Sequence, residues 1–395
     1  MSELPLQAAR LLEDLLASGE RALARGSSRR SKRRFTDPDS PYWALETEAR
    51  EAFHGELRSA EHAGAIELGW SRFGGEAAML EWVRLLDLTA LARHLGRTTH
   101  ANKVEFARTA FAPWLAQVPR LADVVARWAA GKEVRLQGPD TAADFVDAAR
   151  VIARMADEPR ELPVRVASRQ LFRDSKRIEA LVPHLDVLTS EVWPAPANHR
   201  EDVLSGIGLR AAPLPFHMAG VGAVRLNRSG LRALAYEYIA VSPTQVVGYE
   251  GNPRWILSVE NLTTFNMIAE LDVAQNEGLV LYSGGMPSPS WRRAYATVVS
   301  SVAASLPIYH WGDIDAGGFR IAAVIAETIQ PRPLLPWCMD PSHVKELDPA
   351  TAEVRARMAY NAQRAGWSEL ATVISTMEPG RLEQEDLPIQ LPLFL

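Results

Sequence analysis

The chain has 395 residues, 47% apolar and 23% charged, which excludes disorder as its main state and leaves room for two or three domains of about 150 residues. Forty-three Lys and Arg face 48 Asp and Glu for a net charge of −5, so no global basic excess marks a nucleic-acid binder, and any such contact must come from local patches. One cysteine, Cys338, excludes a disulfide scaffold and a Cys-based zinc site, and with no signal-like start and no run near the roughly 18 apolar residues of a membrane span, a cytoplasmic chain without a membrane partner is expected.

Leu6, Ala9, Leu12, Leu15 and Leu16 recur at helical spacing and predict a helix ending near Gly19. The stretch from Arg21 to Arg34 then carries seven cations, among them Arg29, Arg30, Lys32, Arg33 and Arg34, and no acid. It reads as a flexible arm, either a solvated loop or a contact to the DNA backbone. Trp43, Leu45, Ala49, Phe53 and Leu57 predict a second helix stopped at Gly64, and the apolar segments flanking Gly74-Gly75 predict a hairpin. Helix followed by hairpin is compatible with a winged helix. Residues 101–160 are Ala-rich and helical, with Phe106, Phe111, Trp114, Leu115, Leu121 and Val125 as the apolar stripe.

A second basic cluster, Arg165, Arg169, Arg173, Lys176 and Arg177, is opposed only by Asp174 and alternates with Leu162, Val164, Val166, Leu171 and Phe172. It reads as the cationic face of a buried helix, which permits phosphate binding. From about Gly206 the texture turns to short β segments. Strands are predicted at Trp255–Val259, Gly278–Tyr282, Ile308–Trp311 and Leu334–Trp337, separated by helices that reach about Asn276, cover Ser290–Ser305 and reach about Ile329. That order argues for a parallel sheet covered on both faces.

Ligands of such sheets bind beyond the carboxyl ends of the strands. Two of these ends are acidic: one finishes at Glu260-Asn261, another in Gly312-Asp313-Ile314-Asp315-Ala316-Gly317-Gly318. Carboxylates at such close quarters repel one another unless a cation lies between them, and an all-oxygen set favours Mg²⁺ or Mn²⁺. The Asp-x-Asp spacing puts both side chains on one side of an extended segment. Gly312, Gly317 and Gly318 allow a sharp turn and the approach of a phosphate to a helix N-terminus. The structural alternative is that Asp-Ile-Asp-Ala-Gly-Gly only caps a helix. A haloacid-dehalogenase phosphohydrolase also uses Asp-x-Asp, but its pair follows the first strand of the domain and expects Thr or Val where Gly317 stands.

A strand ending in Glu260, a strand ending in Gly284-Gly285 and a strand ending in Asp313-x-Asp315 together resemble the Toprim fold of topoisomerases, primases and Spo11-type proteins. More narrowly, Val259-Glu260-Asn261-Leu262-Thr263-Thr264-Phe265, Tyr282-Ser283-Gly284-Gly285 and the run from His310 to Phe319 resemble the JetD family of Wadjet plasmid-defence nucleases, as does Leu171 to Arg177 upstream. The resemblance implies a multidomain α and α/β chain: an N-terminal arm with a possible winged-helix unit over residues 1–115, a middle CAP-type winged-helix region over 116–228 and a Toprim domain with a helix-flanked parallel sheet over 229–395. It further implies a homodimer that cleaves double-stranded plasmid DNA with Mg²⁺ or Mn²⁺ held by Glu260, Asp313 and Asp315, and a condensin-like SMC complex as partner.

Spo11-type and topoisomerase VI A-subunit relatives attack DNA with a tyrosine on the CAP-type domain. None of the 8 tyrosines here lies between Tyr42 and Tyr236, and the corresponding segment offers Leu171 and Phe172. Neither can attack phosphorus, so water is the expected nucleophile. A tyrosine transesterase and an inactive DNA-binding subunit are the alternatives. Asn261 is expected to orient Glu260 or the backbone, His310 to pack or assist, Trp311 and Phe319 to belong to the core, and Arg292, Arg293 and Arg320 to hold the scissile phosphate or face solvent.

Overall fold

The computed structural model describes residues 8–27, 30–37, 39–71, 79–234, 237–271, 273, 277–341, 348–376, 380–384 and 387–392. The chain is mixed α/β and divides into two compact units, residues 1–149 with 192–195 and residues 150–191 with 196–395. No helix among the described residues is long and apolar enough to cross a membrane.

In the first unit, helix Ala8–Ala24 buries Leu11, Leu12, Leu15 and Leu16. It runs through Gly19 instead of ending there, because the glycine is pressed onto Leu85 and Leu88, where a β-carbon would collide. Two described parts of the cationic run are regular structure, since helix Ala8–Ala24 takes in Arg21 and Lys32–Arg34 is a strand. Lys32–Arg34 is a strand antiparallel to Leu80–Leu85, which pairs with Ile66–Trp70. Buried Phe35 anchors its end against Tyr42 and Phe53, and Lys32 Nζ lies 3.9 Å over the Trp82 ring. Arg29 and the Gly74-Gly75 turn lie outside the described residues. Helix Thr47–His62 gives the helix-then-strands order. Of the apolar stripe, Phe111, Leu121 and Val125 are core, whereas Phe106 and Leu115 are exposed. Helix His100–Phe111 buries Val104, Ala107 and Phe111, and that spacing turns Phe106 outward.

The second unit holds a six-stranded sheet. Its middle strand, Trp255–Val259, is buried along its whole length, as expected of a parallel strand covered on both faces. It pairs in parallel with Gly278–Tyr282 on one side and Ile308–Trp311 on the other. Leu335–Pro336 extends the parallel part. Phe216–Gly220 and Ile239–Val241 continue the other edge antiparallel, so the sheet is mixed. Helices Leu262–Ala269, Pro289–Ser300 and Ala316–Thr328 follow the strands; the first ends before the predicted Asn276. Ala352–Arg364 and Ser368–Thr376 follow them in the chain.

The register positions the site. Val259 stands opposite Tyr282 on one neighbour and Trp311 on the other. Glu260, Ser283 and Gly312 therefore leave the sheet at one level, on the carboxyl rim where ligands of such sheets bind.

Candidate active site

At that rim the Glu260 N–H donates to Trp311 O at 3.0 Å, which ties the two acidic strand ends together through the backbone. The Glu260 side chain turns toward the same loop, where its Oε2 accepts the Asp313 N–H at 3.4 Å. Ile314 is buried, so the two aspartates flanking it share the half-buried face. Asp313 Oδ1 accepts the Gln384 N–H at 2.7 Å. Asp315 is the N-cap of helix Ala316–Thr328, with Oδ1 accepting Gly318 N–H at 2.7 Å. The capping role weighed for this motif is thus present, and it leaves the residue at the site.

Gly312, Gly317 and Gly318 do not make a left-handed turn, since none has positive φ. Their missing side chains matter instead. A β-carbon on Gly312 would lie 2.6 Å from Glu260 Oε2 and 3.0 Å from His310 Nε2, and one on Gly318 would strike the Asp313 carbonyl. The loop can fold onto Glu260 and onto its own helix only without them.

The electrostatics follow from this crowding. Burial first, then the charges of Asp313 and Asp315, hold the Glu260 carboxyl well above the usual carboxylate range, and Asp202 adds to the same push. Asp202, on helix Arg200–Gly206, is itself raised by burial although Arg320 opposes it, and it accepts the Met286 N–H. Nothing in the linear sequence singled out Asp202 or Gln384. Asp202 sits on an ordinary helix far from the Asp-x-Asp motif, and Gln384 lies in a segment without periodicity.

His310 is fully buried with its pKa lowered by burial to about 3. Its Nδ1 lies 2.9 Å from Ser258 Oγ, so it is a packed neutral imidazole. Its Nε2 lacks a hydrogen-bond partner and borders the space above Gly312. Asn261 caps helix Leu262–Ala269, accepting the Thr263 and Thr264 N–H groups at 2.7 and 3.2 Å. Trp311 and Phe319 are core. Arg320 is buried and grips Glu191 through Nε and Nη2, which offsets the upward push of burial on that carboxyl and leaves it below its usual value. Committed to Glu191, Arg320 does not serve as a solvent-facing phosphate clamp. Arg293 is exposed and donates to Pro159 O at 2.6 Å, and Arg292 is half-buried. Arg169, Arg173 and Lys176 are exposed and Arg177 half-buried, on or after helix Val164–Phe172. Arg30 and Lys32–Arg34 face solvent in the first unit.

Among the described residues no three His, Cys, Asp or Glu side chains already converge as a cation cage. The donor chemistry nevertheless fits a hard divalent ion: all oxygen, half-buried to buried, and mutually repelling enough to hold the Glu260 carboxyl well above the usual carboxylate range.

Residues 220–392, which contain Glu260, Asp313 and Asp315, match the family described as Wadjet protein JetD, C-terminal. Over those residues the chain is similar to JetD proteins. A curated relative, Wadjet protein JetD of Bacillus cereus (strain Q1), is 24% identical over 253 residues. The match spans 60% of this chain and 60% of the length of that JetD protein.

Proposed function

We propose that this chain is the nuclease subunit of a Wadjet-type defence system, a metal-dependent endonuclease that hydrolyses plasmid DNA at Glu260, Asp313 and Asp315. In this reading the C-terminal sheet is a Toprim domain, residues 116–228 carry a CAP-type winged helix, and helix Thr47–His62 with its following strands is a further winged unit. The observation that carries the reading is the register that levels Glu260 with the Asp313 loop and crowds their carboxyls. A bound Mg²⁺ or Mn²⁺ would supply positive charge against the reacting phosphate and acidify water, with Glu260, Asp313 and Asp315 as its holders. Glu260 then has two tasks: holding the ion, and passing a proton to or from the reacting oxygens. Asp315, by capping helix Ala316–Thr328, keeps the helix N-terminus facing the rim, where its dipole favours an anion.

Water as nucleophile is supported by the tyrosines. Tyr42 is buried and bonded to His54 and the Leu80 N–H, Tyr249 donates to Val221 O and Tyr295 is buried. Helix Val164–Phe172 offers Leu171 and Phe172 where related transesterases place theirs. One such centre cuts one strand, so a two-fold dimer supplies the second cut. The condensin-like SMC partner would deliver the circular substrate.

The test is incubation of the purified chain with circular plasmid and Mn²⁺ or Mg²⁺, with and without the SMC complex. Nicked and linear products are expected from the wild type, and none from Asp313→Ala. Equal cleavage by the variant would overturn the site assignment, a protein-DNA covalent adduct would favour the transesterase, and binding without cleavage would favour an inactive subunit.

A further inference from the structure

A buried amide is costly unless both its donor and its acceptor are satisfied. Gln384, only 1% exposed, satisfies both on the carboxyl rim. Its Oε1 accepts the Asn261 N–H at 2.9 Å and its Nε2 donates to Trp311 O at 2.9 Å. One partner is a donor and the other an acceptor, so the amide can point only one way. The Trp311 carbonyl is also the one that receives the Glu260 N–H. The side chain therefore bolts together the ends of the two strands that present the acidic residues, and with that anchor set, the residue's own N–H reaches Asp313 Oδ1.

The residues around Gln384 reinforce the arrangement. Leu382 pairs antiparallel with Ile314, the Ile314 N–H donating to Leu382 O at 2.8 Å and the Leu382 N–H to Ile314 O at 3.2 Å. Further on, Leu387, Ile389 and Leu391 pack against the core, and the Trp337 indole N–H holds Gln390 O at 2.9 Å. The Asp313–Asp315 loop is thus pinned from outside by a late segment of the chain.

We propose that Gln384 is a positioning residue for the carboxylate centre: its amide locks the two strand ends in register and so fixes the N–H that orients Asp313. This rests on the metal-dependent reading above. Asn and Gln carry a donor and an acceptor on one planar amide that stays neutral at every pH, and Gln is the longer of the two. Gln384→Met keeps the length and apolar volume and removes both side-chain bonds, and Gln384→Ala removes the bulk as well.

The experiment is calorimetric titration of the full chain with Mn²⁺ alone, for the wild type, Gln384→Met, Gln384→Ala and Asp313→Ala, beside thermal melts in EDTA and plasmid nicking. Support is a loss of Mn²⁺ affinity of about 10- to 100-fold in Gln384→Met, a parallel loss of nicking, and a cooperative melt that shows a folded chain. Unchanged Mn²⁺ affinity in both Gln384 variants, with the wild type binding and Asp313→Ala failing to bind, would overturn this proposal and leave the metal reading standing. A wild type that takes up no Mn²⁺ would overturn both. If neither Gln384 variant folds, the residue is a structural strut and the positioning role is lost.

Discussion

Under the proposed function, Glu260 is the residue on which the chemistry and the stability of this chain conflict. Its carboxyl is held well above 4.5 by burial and by its aspartate neighbours. A folded-state pKa raised in this way means that the protonated form stabilises the fold. The contribution is fully present below the unfolded pKa and is lost as pH rises toward and through the higher folded value. Glu260→Gln is permanently neutral, so in EDTA its melting temperature should exceed that of the wild type at pH 8, the gap closing toward pH 4, while plasmid cleavage is abolished. Melting curves at the two pH values check this, and a wild type that melts higher at pH 8 would contradict it. Gly318 gives a second expectation. A β-carbon there would strike the Asp313 carbonyl backbone, which no rotamer change can relieve. Gly318→Ala should destabilise by about 1–3 kcal/mol, read by urea denaturation, and should reduce cleavage because the loop carrying both aspartates must shift.

At the scale of elements, the three acidic or glycine-bearing strand ends are held by the starts of helices as much as by the sheet. Asn261 caps helix Leu262–Ala269 one position after Glu260. Asn261→Ala should cost about 1 kcal/mol and weaken cleavage by loosening Glu260, whereas Asn261→Asp keeps the cap and should recover most of the stability in denaturant titrations. Strands Trp255–Val259, Gly278–Tyr282 and Ile308–Trp311 were legible in the sequence because a buried parallel strand is a continuous apolar run bounded by turn residues. The antiparallel edge formed by Phe216–Gly220 and Ile239–Val241 was not, since short strands in Gly- and Pro-rich sequence do not announce their partners. Helix Ala8–Ala24 outran its predicted end because packing against Leu85 overrode the propensity of Gly19. Glu260, Asp313 and Asp315 were legible from position alone, as acids where strand turns to loop. Gln384 and Asp202 join them through tertiary contacts that leave no spacing pattern.

For the whole molecule, the proposed function makes the balance of charge decide how the chain would meet DNA. With a net charge of −5, the bulk of the surface repels a polyanion, and attraction must come from local cations such as those of strand Lys32–Arg34. In that strand Lys32 stands opposite Arg84 and Arg34 opposite Trp82, so Lys32 and Arg34 share one face with Arg84 and an aromatic ring, while Arg33 faces Val83. Arg84 is already paired with Glu67, which leaves Lys32 and Arg34 as the better phosphate contacts of that face. Phosphate contacts of this kind release counterions, and each contributes roughly one unit to the slope of log affinity against log salt. The isolated chain should therefore bind linear duplex weakly and lose that binding steeply between 50 and 200 mM salt. The double variant Lys32→Ser, Arg34→Ser should flatten the slope by up to about two units. Fluorescence anisotropy with a labelled duplex across that salt range measures both. Tight binding that salt does not weaken, or an unchanged slope in the double variant, would remove this strand from the DNA interface and shift the search to Arg169, Arg173 and Lys176, exposed cations in the same unit as the carboxylates.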